Sequence, residues 1–139
     1  MSAGQNGVVF DTYAWVEYIG KGRHSDRVGE ILNNTHYLQK VTPATVIAEL
    51  RDRLLRDNTE ESRIDQMIRF IAYKTRIYPC DLQVAYIASQ ISYEQKHNRK
   101  VKDWGMLDSL NYAVAQILNC LFVTGDPHFK NMNDVLFLD

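Results

Sequence analysis

Four acidic residues sit where the chain should change direction. Asp11 closes the apolar run Gly7-Val8-Val9-Phe10, and Asp126 follows Leu121-Phe122-Val123-Thr124-Gly125. Asp108 lies in the first turn of a helical stretch from Met106 to Leu118, and Glu49 lies inside another that starts at Pro43. In an open parallel α/β sheet, residues just past strand ends and at helix starts gather on one edge. Carboxylates forced together repel, and a hard divalent cation such as Mg2+ or Mn2+ relieves that repulsion. The chemistry such a set points to is metal-assisted attack on a phosphodiester. In this reading Asp11, Asp108 and Asp126 ligate or orient one cation, and Glu49 helps to hold it or a second one.

Each acid also has a plain structural role open to it. Asp11 and Asp126 both suit helix N-caps, the latter as an Asp-Pro pair. Asp108 suits the first turn of a helix, where the dipole favours an anion, and Glu49 can pair with Arg53 four residues on. The set is harder to dismiss than its members. Glu49 and Asp108 are flanked by apolar residues, where an unpartnered carboxylate is costly. Thr124, two residues before Asp126, carries a hydroxyl able to orient a carboxylate, although threonine is also simply a good strand former.

The elements that must position these residues follow from periodicity. Gly7 to Phe10 is apolar without alternation, which predicts a strand covered on both faces. Asp11-Thr12 then caps a helix that Gly20 stops, and Ser25 caps a second. His36 to Val41 is the expected second strand. Thr42-Pro43 reads as a cap followed by Pro at the first helical position. Thr59-Glu60-Glu61 opens another helix, Arg76 to Tyr78 is a short strand, and Asp81 to His97 is a long amphipathic helix. After the basic loop from Asn98 to Gly105 come a helix (106–118), a strand (120–124), a short helix (126–131) and a last strand (135–138). Strands alternating with helices predict an α/β, three-layer α/β/α sandwich around a parallel sheet.

The chain has 139 residues, which suits one domain over 1–139, with residues 1–6 expected to form a flexible tail. A net charge of -1 excludes a global polyanion-binding field, so any nucleic-acid contact must be a local basic patch. Such patches flank the acids: Lys21 and Arg23, then Arg53 among neighbouring arginines, then Lys100 and Lys102 in the basic loop. Runs of charge are usually solvated faces, but this arrangement also suits a phosphate backbone laid across a carboxylate centre. No apolar run approaches the roughly 20 residues that span a bilayer, and the expected setting is cytoplasmic, with no membrane partner. The two cysteines, Cys80 and Cys120, lack metal-ligand spacing and read as reduced thiols. The four histidines show no zinc spacing. His128 stands near the acids but reads as a surface helix residue. Trp15, Tyr18 and Trp104 suit either a partner surface or the core.

Taken together, Phe10-Asp11-Thr12-Tyr13-Ala14-Trp15, Thr45-Val46-Ile47-Ala48-Glu49-Leu50, Leu107-Asp108-Ser109-Leu110 with Ala113-Val114-Ala115, and Val123-Thr124-Gly125-Asp126-Pro127-His128-Phe129 resemble a PIN-domain nuclease, in particular the VapC-type toxins. The resemblance spans Val8 to Leu138. It implies an Mg2+- or Mn2+-dependent ribonuclease acting on structured RNA such as tRNA or rRNA, inhibited by an antitoxin protein and often homodimeric. By position it carries the acidic set onto Asp11, Glu49, Asp108 and Asp126, and the supporting hydroxyls onto Thr12 and Thr124. The stretch Asp108-Ser109-Leu110-Asn111-Tyr112 departs from the smaller, more apolar residues usual after that acid, which bears on packing or dimer contacts. Asp103 is an extra acid that competes with Asp108. The alternatives are an RNA-processing nuclease outside a toxin–antitoxin pair, or an inactive RNA or protein interaction module. A phosphatase of haloacid-dehalogenase type would need a second Asp where Tyr13 stands, and a receiver domain would need an acidic pair and a late Lys that are not evident.

Overall fold

The run Gly7-Val8-Val9-Phe10 is buried along its whole length, as a strand covered on both faces must be. In the computed structural model, which describes residues 6–139, it is the central strand β1 (Gly7–Phe10) of a five-stranded sheet. The others are β2 (Gln39–Pro43), β3 (Arg76–Tyr78), β4 (Leu121–Thr124) and β5 (Val135–Phe137). They lie in the order β3-β2-β1-β4-β5, and every neighbouring pair is parallel. The chain therefore builds outward on one side of β1, then returns to start the other side with β4. Between β1 and β4 the strand order reverses, which is where open α/β sheets form their crevice.

Among the described residues six α-helices cover the sheet: α1 (Thr12–Ile19), α2 (Ser25–Leu32), α3 (Ala44–Arg56), α4 (Glu61–Lys74), α5 (Leu82–Tyr93) and α6 (Met106–Leu118). The pleat of β1 divides them. Val8 and Phe10 face a core with Trp15, Val28, Ile31, Leu50 and Ile71, so α1 to α4 form one layer. Val9 faces the opposite core with Val84, Ala88, Ala113, Val114 and Phe122, so α5 and α6 form the other. The expected α/β/α sandwich is present. No helix among the described residues is long and apolar enough to cross a membrane.

Several expectations shift. β2 begins at Gln39 and runs through Pro43, so Pro43 precedes α3 instead of opening it. Thr42 does not cap, because its hydroxyl is consumed in the core. Trp15 Nε1–H donates to Thr42 Oγ1 at 3.1 Å, the Thr42 and Thr75 hydroxyls meet at 2.7 Å, and Thr75 Oγ1 donates to the Ile71 carbonyl at 2.9 Å. Ser25 is the first residue of α2 and donates to the Tyr18 carbonyl. The long helix gives way after Tyr93 to a single π-helical turn, Glu94–Asn98. The short helix near the C-terminus is one 3₁₀ turn, Pro127–Phe129. Trp15 and Trp104 are buried, so neither lines a surface. Both cysteines are free thiols, Cys80 exposed and Cys120 buried. The tail expected over 1–6 falls mainly outside the described residues. Asn6 is described, and its carbonyl accepts from Leu38 N–H at 2.7 Å.

The buried relay gives a stability test. Thr42→Val keeps the shape but leaves the Trp15 N–H without an acceptor, which costs about 1–3 kcal/mol. Urea denaturation should show that loss, and an unchanged midpoint would mean the relay contributes nothing net.

Candidate metal centre

Asp11 follows β1 with extended backbone (φ -77°, ψ 166°), and its N–H donates to the Val123 carbonyl at 3.0 Å. That bond fixes the residue across the switch point. Its side chain makes no cap bond to α1 and is only 7% exposed. Thr124 Oγ1–H donates to Asp11 Oδ2 at 2.8 Å, and Asn111 Nδ2–H reaches Oδ1 at 3.4 Å. Burial pushes the Asp11 carboxyl up to about 7, against the Thr124 and Thr12 hydrogen bonds that favour the anion. The nearby charges of Glu49 and Asp108 push it further up. Thr124 Oγ1 also accepts from Asp126 N–H at 3.1 Å, so one hydroxyl ties both strand ends together.

Glu49 comes to the centre from α3, in the opposite helical layer to α6. Its Oε1 accepts from Thr12 Oγ1 at 2.9 Å and from Asn111 Nδ2 at 2.8 Å. The expected alternative of a Glu49–Arg53 pair is not among the described ion pairs. Asn111 is the buried residue that joins the layers. Its amide faces both Asp11 and Glu49, while its Oδ1 accepts from the Thr45 hydroxyl of α3. Sequence reasoning placed this residue in packing or dimer contacts. The structure places it between two carboxylates, where its N–H groups temper their repulsion. The only signal in the sequence was its position one turn after Asp108, on the same helical face.

Asp108 and Asp126 form a second group beside Asp11 and Glu49: among the described residues, the ligand atoms close enough to share one ion come from Asp108, Asp126 and His128, without Asp11 or Glu49. Asp108 Oδ2 accepts from Gly105 N–H at 3.1 Å, so the first-turn role and the site role coexist. Its pKa is raised, chiefly by burial; the Gly105 bond and His128 oppose, and Asp126 and Glu49 add to the rise. Asp126 does cap the 3₁₀ turn, accepting from His128 N–H at 2.9 Å. His128 is not a surface bystander: its Nδ1 lies 3.5 Å from both Asp108 Oδ2 and Asp126 Oδ1. One ligand atom from each of these three residues falls within 4.8 Å of the others.

No described ion pair brings a Lys or Arg to any of the four acids. Neighbouring carboxylates without a paired lysine or arginine fit a hard divalent ion, whose preferred donors are oxygens. Gly125, between Thr124 and Asp126, packs so closely under the Tyr13 ring that a Cβ there would lie 2.3 Å from it. Asp103 is exposed, in left-handed backbone (φ 64°), and is not among the charges that shift Asp11 or Asp108. Lys100 is also exposed and left-handed (φ 53°). Arg53 lines a shallow groove with Thr12, Glu49 and Leu107. Lys102 is exposed, and its carbonyl meets His128 Nε2. Lys21 and Arg23 are exposed beyond α1, with Arg23 Nε donating to His24 Nε2.

The profile of the PIN domain matches residues 8–135. The chain belongs to the PIN domain family. Among solved structures, the PIN fold here superimposes on VapC20 of Mycobacterium tuberculosis, a sarcin-ricin loop cleaving toxin, with a TM-score of 0.74 at 12% identity, covering 96% of this chain and 100% of that one. A toxin–antitoxin complex from Klebsiella pneumoniae gives a TM-score of 0.71 at 14% identity, covering 96% and 98%. FitAcB from Neisseria gonorrhoeae gives 0.64 at 23% identity, covering 86% and 87%. No curated protein matches.

The raised carboxyl of Asp11 fixes the sign of a pH effect. Its folded value of about 7 exceeds the ordinary 3.8, so the folded state holds the proton more tightly. The stability this group contributes is fully present below the ordinary value and is lost as pH rises through about 7. In EDTA, the wild type should lose on the order of a few kcal/mol between about pH 5 and pH 8 relative to Asp11→Asn, which lacks the titration. Parallel pH profiles for the two proteins would show that Asp11 does not titrate as its burial demands.

Proposed function

We propose that this PIN-domain protein is a divalent-cation-dependent endoribonuclease and the toxin of a toxin–antitoxin pair. The observation that carries the reading is the burial of Asp11 within reach of the Glu49 and Asp108 charges, with no lysine or arginine ion-paired to any of the four acids among the described residues. A docking module gains nothing from that arrangement and bears its electrostatic cost.

Asp11, Asp108, Asp126 and Glu49 would hold Mg2+ or Mn2+. When bound, such an ion supplies Lewis-acid charge for the phosphate oxygens and makes a water acidic enough to attack at neutral pH. The chain's own residues prepare the place. Thr124 and Asn111 turn the Asp11 carboxylate, Gly105 N–H turns Asp108, and His128 N–H turns Asp126. A carboxylate has about four lone-pair sites, so each keeps others for the ion. Thr12 and Asn111 hold Glu49 at the same edge. Arg53, Lys100 and Lys102, with Lys21 and Arg23 further off, would receive the phosphate backbone.

The substrate is structured RNA, tRNA or rRNA, which places the protein in the cytoplasm. Support for this class comes from the similar fold of a toxin that cleaves the sarcin-ricin loop. Support for an antitoxin partner comes from similar folds within VapBC and toxin–antitoxin complexes. Exposed apolar side chains, Tyr73 on α4 and Leu82, Tyr86 and Tyr93 on α5, are available to an antitoxin or to a second copy in a homodimer.

Total RNA incubated with Mn2+ should be cut by the wild type and not in EDTA. Asp11→Asn should lower the rate by about a hundredfold or more while keeping the fold. Wild-type cleavage by that variant would overturn the site. On an Asp11→Asn background, replacing Arg53 and Lys102 by Ala should weaken RNA binding and reduce the salt slope by about two. Fluorescence anisotropy at several salt concentrations reads this directly, and an unchanged slope would move the RNA path elsewhere.

A further inference from the structure

We infer that His128 is a nitrogen ligand, through Nδ1, to the divalent cation shared by Asp108 and Asp126. The inference rests on the metal-dependent reading above and adds a donor to its all-oxygen set.

Nδ1 of His128 is buried and has no hydrogen-bond partner among the described residues. It lies 3.5 Å from one oxygen of Asp108 and 3.5 Å from one of Asp126. The ring is held from two sides and its main chain from a third. Nε2 lies 3.2 Å from the Lys102 carbonyl, the backbone N–H is tied to Asp126 Oδ1 at 2.9 Å, and the buried Trp104 ring packs at 5.8 Å between centroids. Trp104 is itself fixed by its Nε1–H bond to Ser109 Oγ at 2.7 Å.

A carbonyl only accepts, so Nε2 carries the hydrogen in that contact. A neutral imidazole has one N–H, which leaves Nδ1 with a bare lone pair. In that form the lone pair faces two carboxylate oxygens at 3.5 Å, longer than a good hydrogen bond. A shared cation resolves the conflict. Donor atoms bound to one ion at about 2.0–2.3 Å stand roughly 3–4.5 Å apart, which the observed separations match. A carbonyl on the distal nitrogen is also how metal-ligating histidines have their tautomer fixed. A nitrogen donor contributes less with Mg2+, which seeks oxygen, than with a transition ion such as Mn2+.

Mn2+ is the probe for the full-length protein. Pulsed EPR of the Mn2+-loaded wild type should show the coupling of a directly bound 14N nucleus, which changes to that of 15N when histidine is 15N-labelled. In His128→Ala the coupling should vanish, and titration calorimetry should show the Mn2+ dissociation constant raised about tenfold, with a smaller change for Mg2+. If Mn2+ binds, Asp108→Asn weakens it, and the wild type shows no nitrogen coupling, then His128 is not a ligand and the metal centre stands without it. If the wild type binds no Mn2+ saturably, the metal-dependent reading fails and this inference fails with it. The wild-type spectrum decides the matter even if the alanine variant does not fold.

Discussion

A carboxylate cannot be taken out of water at the end of a buried strand unless its surroundings are arranged for it. Asp11 is in that position. It emerges from β1, whose residues are sealed on both faces, and its own backbone is clamped to β4. Everything nearby answers this constraint. The Thr124 hydroxyl and the Asn111 amide bring their hydrogens to it, and the Thr12 backbone N–H adds another. These contacts favour the anion but do not outweigh burial, so the carboxyl stays poised near neutrality.

The sandwich makes that arrangement possible by bringing both helical layers over one sheet edge. α3 carries Glu49 in from one layer, and α6 carries Asp108 and Asn111 in from the other. Asn111 bonds to Thr45 and Glu49 of α3 and reaches Asp11 at the strand end. Three separate stretches of chain thus meet on a single amide. Behind them, the Trp15–Thr42–Thr75 relay fills the core with satisfied polar groups, which keeps α1 in register with β2.

Much of this was legible in the chain itself. β1, β3 and α6 lie where apolar runs and helical spacing put them, because those signals are local. The acids come to one sheet edge because parallel topology gathers strand ends and helix starts there, a rule that needs only the order of elements. What escaped depends on distant partners. Thr42-Pro43 looks like a helix start, but the Trp15 indole and Thr75 claim the threonine. Asn111 looks like a departure from a small-residue pattern, but Thr45 and two carboxylates give it a purpose. His128 looks like a polar residue on a short turn, and its nearness to Asp108 arises only when α6 is laid beside the end of β4.

The supports of the centre are not equally firm. Asp11 and Thr124 are anchored by the sheet, whereas the carbonyl that meets the His128 ring belongs to Lys102, between two non-glycine residues in left-handed backbone, Lys100 and Asp103. Each such residue costs about 1–2 kcal/mol. That segment also sits on the surface with few backbone bonds, among them Val101 N–H to the Gln95 carbonyl. The imidazole thus takes its Nε2 contact from a surface loop and the aspartate takes its hold from the sheet, so local opening of that loop would loosen the first and leave the second in place.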